Sequence, residues 1–150
     1  MIIFILIAAA VFAADISIKH RIEAMPAQAF PKETVCGIRL VRRRNSGFMM
    51  NRHSDRPGLV RAVSAVVMAF ILAVFAAVFS GKGRVIEKLG MALAAGGAAS
   101  NVYERLVKGF VVDYINIPIG KLKKIAFNIA DICIAAGALM VLLYEIICGD

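Results

Sequence analysis

Four long apolar stretches, separated by polar and proline-bearing connections, organise this chain of 150 residues. A helix that crosses a bilayer needs about 20 mostly apolar residues, since each adds about 1.5 Å of rise and its backbone must be satisfied internally. The first stretch runs from Met1 to about Ile18 and carries Asp15, and the second, Leu59 to Phe79, has Arg61 near its start. A third, Val85 to Tyr103, is less apolar, with Glu87 and Lys88 at its beginning and a centre of Ala and Gly. The fourth, Ile125 to Ile147, contains Asp131 in its first third. The pattern predicts an all-α membrane protein of four transmembrane helices in a single domain covering residues 1–150. In the third helix Ala92, Gly96 and Ser100 recur every four residues, a spacing that lets a neighbouring helix approach closely where lipid offers no hydrophobic driving force.

The connections predict more. Residues 21–58 hold Pro26, Pro31 and Pro57, with an alternating stretch from Thr34 to Val41, and are long enough for a small extramembrane β-element between helices 1 and 2. Residues 105–124 contain Gly109, Pro118 and Gly120, which mark an irregular or re-entrant segment, with Phe110-Val111-Val112 at the membrane surface. The apolar start could serve as a secretory signal. A signal peptide opens with a cationic region, and no Lys or Arg precedes Lys19, so an uncleaved first span is expected.

Composition supports the membrane assignment: 61% of residues are hydrophobic and the mean hydropathy is +0.80, above the range of soluble domains. Disordered chains are poor in apolar residues, and Cys36, Cys133 and Cys148 cannot all pair with one another. The net charge of +8 could suggest nucleic acid. Its distribution argues otherwise: ten of 18 cations lie between Lys19 and Arg61, three between Lys82 and Lys88, and five between Arg105 and Lys124. The Arg42-Arg43-Arg44 run then reads as a loop or lipid-headgroup feature, and membrane lipids, not nucleic acid, are the expected surroundings.

Polar side chains within spans are expensive, about 2.5–3.5 kcal/mol each on insertion scales, and are therefore functional candidates. Asp15 and Lys19 are four apart, as are Asn101 and Arg105, and Asn128 and Asp131 are three apart, so each pair shares a helical face. No cofactor is expected, because His20 and His53 form no HExxH arrangement and Cys133 and Cys148 lie in an apolar helix. No Ser-His pairing has a supporting motif.

Asn101-Val102-Tyr103-Glu104-Arg105, then Gly109-Phe110-Val111-Val112-Asp113-Tyr114, then Phe127-Asn128-Ile129-Ala130-Asp131 resemble the motifs of the lipoprotein signal peptidase family, signal peptidase II. Those motifs are an Asn-x-x-Asp-Arg stretch leading into Gly-x-Val-Val-Asp, and a later Phe-Asn-x-Ala-Asp. Asp15 and Lys19 resemble the Asp-x-x-x-Lys of the family's first span, and Asn45-Ser46-Gly47 its Asn-x-Gly. The resemblance implies an intramembrane aspartic endopeptidase of the bacterial inner membrane. It would cut signal peptides from prolipoproteins just before a diacylglyceryl-modified cysteine. The family's catalytic pair falls on Asp113 and Asp131, and its supporting residues on Asp15, Lys19, Asn45, Asn101, Arg105 and Asn128. The family fold adds an extracytoplasmic β-cradle and a flanking helix to four spans.

Such chemistry needs one ionised carboxylate to activate water and one protonated carboxyl to polarise the scissile carbonyl. Two departures stand out. Glu104 replaces the usual Asp, keeping the charge beside Arg105 but adding a methylene able to shift a structural ion pair. Phe48-Met49-Met50 follows Asn45-Ser46-Gly47 where small residues and then Phe are common, which bears on substrate preference. A non-catalytic paralogue that binds lipidated peptides is the main alternative, and a proton-coupled transporter a weaker one in a chain without repeated halves. Orientation sets two arguments against each other. The family places both polar loops outside, yet those loops hold fifteen cations against three in the Lys82–Lys88 turn, and the positive-inside rule alone would invert the protein.

Overall fold

The computed structural model describes residues 1–34, 37–48, 52–80 and 85–148; Cys36, Met49, Met50 and Lys82 lie outside the described residues. Helices α1 (Ile2–Ala24), α2 (Pro57–Ser80), α3 (Val85–Val107) and α4 (Ile129–Cys148) are joined to a three-stranded antiparallel sheet of β1 (Lys32–Glu33), β2 (Arg39–Asn45) and β3 (Val111–Asn116), in the order β1-β2-β3. Helices α1, α2 and α4 are long and apolar enough to cross a membrane. Helix α3 packs against all three.

Local chemistry sets the helix ends. Helix α1 continues beyond Ile18 because Lys19 and Ile22 turn inward and are buried. It stops at Met25, whose extended backbone (φ −73°, ψ 146°) suits a residue before proline. The Arg42 guanidinium donates to the Glu23 and Met25 carbonyls at 3.2 and 2.8 Å, satisfying orphan acceptors at that end. Helix α2 opens with Pro57 in the first turn, where a missing N–H costs nothing. Helix α3 gives way to Gly109 at φ 82°, a left-handed conformation that favours glycine.

Helix α4 begins at Ile129 and not at Ile125. The Asp131 amide donates to the Asn128 side-chain oxygen at 2.9 Å, and the Asn128 amide donates to the Asp131 carboxylate at 3.1 Å, a reciprocal cap that fixes the first turn. Residues 125–128 stay extended instead, and Phe127 bridges to Ile115.

The small residues of α3 serve two interfaces. On one side a Cβ at Gly96 would strike the Ala8 carbonyl oxygen and lie 3.0 Å from the Val11 Cβ, so the Ala92-Gly96-Ser100 stripe admits α1 as its spacing suggests. On the other side, which the four-residue spacing did not reveal, Gly90 and Gly97 face α4. A Cβ at Gly97 would lie 2.5 Å from the Ala130 carbonyl oxygen, one at Gly90 would lie 2.7 Å from that of Gly137, and Gly137 in turn abuts Gly90 and Ala94.

Both polar loops contribute to the sheet. Strand β2 comes from residues 21–58 and β3 from residues 105–124, so their antiparallel pairing brings the two loops to one end of the bundle. The second loop is thus not simply irregular. Val111 and Val112 are buried, Val112 in a cluster with Ile22 and Tyr114, so this pair is covered by protein where a membrane-surface position was expected. The register places Arg43 opposite Asp113 and Asn45 opposite Val111, with an irregularity between Leu40 and Arg43.

The contacts at Gly97 predict a stability effect. Gly97→Ala should cost about 1–3 kcal/mol through overpacking, lowering the thermal unfolding midpoint in detergent, whereas Gly58→Ala, with open space around its Cβ, should leave it unchanged. Equal midpoints for the Gly97 and Gly58 variants would contradict the close α3–α4 approach.

Candidate active site

Lys19 lies beneath the site with no exposed surface. Its ammonium is 2.7 Å from Asp15 and 3.2 Å from Glu104, and it donates to Ser100 Oγ at 3.2 Å and Asn101 Oδ1 at 2.8 Å. A buried charge is tolerable only when paired and hydrogen-bonded, and here two carboxylates and two neutral acceptors surround it. Asp15 is equally enclosed. It accepts from Ser100 Oγ at 2.6 Å, from the Tyr114 hydroxyl at 2.9 Å and, at 3.4 Å, from the Ala130 amide.

Glu104 belongs to this layer. Adjacent helical residues point about 100° apart, so Glu104 turns from Arg105 toward α1 and β3. Its carboxylate is 2.8 Å from Lys108 and accepts the Val112 amide at 2.9 Å. The ion pair at this position therefore joins Glu104 to Lys19 and Lys108, and Lys108 also pairs with Glu23. The added methylene extends a carboxylate that reaches a strand amide.

Above this layer sit the two aspartates of the motifs. Asp113, on β3, accepts from Asn128 Nδ2 at 2.9 Å and from Asn45 Nδ2 at 3.1 Å. Asp131, in the first turn of α4, accepts from Asn101 Nδ2 at 2.8 Å besides its bond from the Asn128 amide. Asn128 thus touches both carboxylates, one through its side chain and one through its backbone. Burial first, and the negative charge of Asp131 second, push the Asp113 carboxyl up to about 6, although Asn45, Asn128 and Lys19 oppose the rise.

Both aspartates open into a cleft of about 680 Å³ between α2, α3, α4 and the sheet. Asn45, Asn101 and Arg105 share its polar end, while Val63, Val67 and Ile132 are among its apolar walls. Arg105 donates from Nη2 to the Gly47 carbonyl at 3.1 Å, and its buried Nε has no hydrogen-bond partner among the described residues. The Gly47 amide donates to Asn45 Oδ1 at 3.2 Å, so Arg105 and Asn45 hold the same turn.

The structure brings all eight residues named from sequence together: Asn45, Asn101, Arg105, Asp113 and Asp131 line the cleft, Asn128 is buried between the two aspartates and bonded to both, and Asp15 and Lys19 lie behind them. Sequence reasoning missed three others. Ser100 reads in sequence as a small packing residue, and Glu104 as part of a structural ion pair beside Arg105, with no sign of its reach to Lys19 and the Val112 amide. Tyr114, whose hydroxyl accepts the Ile129 amide at 3.1 Å and donates to Asp15, carried the one available signal. Strand alternation turns it to the face opposite Asp113, toward α1. Burial, ahead of the nearby Asp15 charge, raises its phenol above the usual value and keeps it a donor.

Two carboxylates facing one cleft, whose polar end lies among apolar helices, are what the geometry presents. The profile described as "Signal peptidase (SPase) II" matches residues 7–147. A lipoprotein signal peptidase of Mesorhizobium japonicum is 35% identical over 147 residues, covering 96% of this chain and 85% of that protein. One of Vibrio parahaemolyticus is 31% identical over 142 residues, covering 91% and 83%. A solved bacterial membrane enzyme superposes with a TM-score of 0.82 at 23% identity, covering 98% of this chain and 91% of that one, and shares the fold. The chain belongs to the signal peptidase II family. It is accordingly a protease and, with three apolar helices and bacterial relatives, an inner-membrane protein.

The raised Asp113 carboxyl predicts a pH effect on stability. Its ordinary value is 3.8 and its folded value about 6, so the folded state holds the proton more tightly. The stabilisation is complete below about 3.8 and is lost as pH rises through about 6. Asp113→Asn removes this titration. The variant's stability relative to the parent should therefore increase between pH 4 and pH 7, by up to about 3 kcal/mol, as read from unfolding midpoints; a constant difference would show that Asp113 titrates normally.

Proposed function

We propose that the chain is an intramembrane aspartic endopeptidase that removes signal peptides from diacylglyceryl-modified prolipoproteins, cutting before the lipidated cysteine. The observation that carries this reading is the convergence of Asp113 and Asp131 on one cleft, tied together by Asn128. The aspartates share one proton, because two ionised carboxylates in a water-poor site repel each other. The ionised member takes a proton from water as its oxygen attacks the scissile carbonyl carbon. The protonated member donates to the carbonyl oxygen, giving a neutral tetrahedral intermediate. Breaking the C–N bond then moves two protons: the carboxyl that took water's proton gives it to the departing amine nitrogen, and one hydroxyl of the intermediate returns its proton to the other carboxylate, regenerating the shared state.

The supporting residues have distinct tasks. Asn45, Asn101 and Asn128 each donate to a carboxylate oxygen, which fixes both groups while leaving lone pairs for water and substrate. Arg105, whose Nε has no hydrogen-bond partner among the described residues, would turn this spare donor to a substrate carbonyl. The apolar walls suit a signal-peptide segment and acyl chains, whose burial is worth about 0.8 kcal/mol per methylene. Asp15, Lys19 and Ser100 act from behind, through Asn101 and β3.

Incubating the purified protein with a diacylglyceryl-modified prolipoprotein tests the activity. Asp113→Asn and Asp131→Asn should each abolish cleavage in a protein that remains folded, and the double variant should be hardly worse than either, since residues acting as a unit are non-additive. The pH profile should be bell-shaped, with limits that belong to the pair. Appreciable turnover by either single variant would sink the aspartic mechanism. A folded parent that binds but never cuts would instead favour the non-catalytic paralogue.

The proposed orientation puts the sheet on the extracytoplasmic side, facing an exported substrate. In a cysteine-free background, an exposed Asp55→Cys should react with a membrane-impermeant thiol reagent in intact spheroplasts. Reaction only after the membrane is broken would invert the protein.

A further inference from the structure

Between β3 and α4 lies a short 3-10 helix, Gly120–Lys124, whose sequence around it reads Ile119-Gly-Lys-Leu-Lys-Lys-Ile125. Residues 119–124 are all exposed, including Ile119 at 69% and Leu122 at 43%. The three-residue period of such a helix puts Ile119 and Leu122 on one ridge and Lys121 and Lys124 on the next. Neither apolar side chain contributes to the sheet-end cluster around Ile22, Val112 and Tyr114.

Some cations at this end of the molecule are paired, whereas others, Arg21, Lys32 and Arg52 among them, have no carboxylate within 4 Å among the described residues. Lys19, Arg39, Arg44, Arg56 and Lys108 each have a carboxylate within 4 Å. Lys121, Lys123 and Lys124 have none among the described residues. Arg43 joins them, donating through Nη1 to the Lys124 carbonyl at 2.9 Å. Arg43, Arg44 and Lys124 also wall a second cleft of about 340 Å³ that reaches Asn45 and Asp113. Exposed apolar side chains set among lysines that lack a carboxylate partner among the described residues, beside helices built to cross a bilayer, have the character of an interfacial segment.

We propose that residues 119–125, with Arg43, form a docking element for anionic phospholipid headgroups. Ile119 and Leu122 enter the acyl boundary, and Lys121, Lys123, Lys124 and Arg43 contact lipid phosphates. Because Ile125 and Ala126 line both clefts, docking would anchor one wall of the site at the membrane surface. The inference rests on the membrane placement of the helices and not on the peptidase reading.

The test uses full-length protein in nanodiscs, with Leu122→Cys in a cysteine-free background carrying an environment-sensitive dye. Emission should shift to the blue when neutral phosphatidylcholine is partly replaced by phosphatidylglycerol, and high salt should reverse the shift. Each lysine near an anionic surface contributes roughly fivefold at low salt, so replacing Lys121, Lys123 and Lys124 together by Gln should abolish the lipid dependence. Soluble glycerophosphate should not compete. Emission indifferent to lipid composition, or unaltered by the triple replacement, overturns the proposal, and displacement by glycerophosphate would reassign the basic cleft to a free phosphate. Circular dichroism of the triple variant separates loss of docking from loss of fold: a folded variant that still shifts like the parent overturns the proposal, and if the triple variant unfolds, the same titration on Lys121→Gln alone decides, a partial loss of the shift being expected and none overturning it.

Discussion

The buried ammonium of Lys19 is the contact on which the rest of the molecule depends. Removing one partner of a buried pair leaves an uncompensated charge at a cost of about 3–5 kcal/mol, and this ammonium has two carboxylate partners, from different helices. Through Asp15 it reaches the Tyr114 hydroxyl on β3 and the Ala130 amide at the start of α4. Through Glu104 it reaches the Val112 amide. Three helices and the central edge of the site are thereby fixed to one charge. Low dielectric makes such a network costly when incomplete and stiff when satisfied, and every side-chain atom named in it has a partner.

Position follows from that stiffness. Asp113 lies between Val112, held by Glu104, and Tyr114, held against α1, so its backbone is fixed on both sides while its side chain turns to the cleft. Asp131 is set by a different device, the reciprocal cap with Asn128. The same asparagine then crosses to Asp113. A residue that starts a helix thus also sets the relation between two carboxylates on separate elements, which is why Asn128 and Asp131 are three apart.

Sequence made the helices legible because an apolar run of bilayer length exceeds what a strand or a soluble core helix needs, and it made the Asp15–Lys19 pair legible because a four-residue spacing needs no tertiary knowledge. The motif positions around Asp113 and Asp131 were readable through family likeness. The third strand was not, since Val111 to Asn116 becomes a strand only by pairing with β2 across more than sixty residues of chain. Nor was the start of α4, where Ile125 to Phe127 is as apolar as the helix it precedes and only the Asn128 cap separates them. Ser100 looked like a packing residue because it is one. Its hydroxyl function appears only when α1 is close enough to offer Asp15 and Lys19.

Helix α3 shows how polarity and membrane residence are reconciled. It does not meet the length-and-apolarity criterion that α1, α2 and α4 satisfy, yet it carries Asn101, Glu104 and Arg105, the residues that link the buried charge to the cleft. Polar groups within a bilayer are tolerable where protein, not lipid, surrounds them. The two glycine-lined faces of α3 supply that enclosure by drawing α1 and α4 against its backbone. A more apolar α3 with larger side chains would cross lipid more readily on its own, but it would hold its neighbours too far away to close the Lys19 network. The low hydropathy of this segment is therefore a consequence of its central place in the bundle, and its glycines and its charges are parts of one requirement.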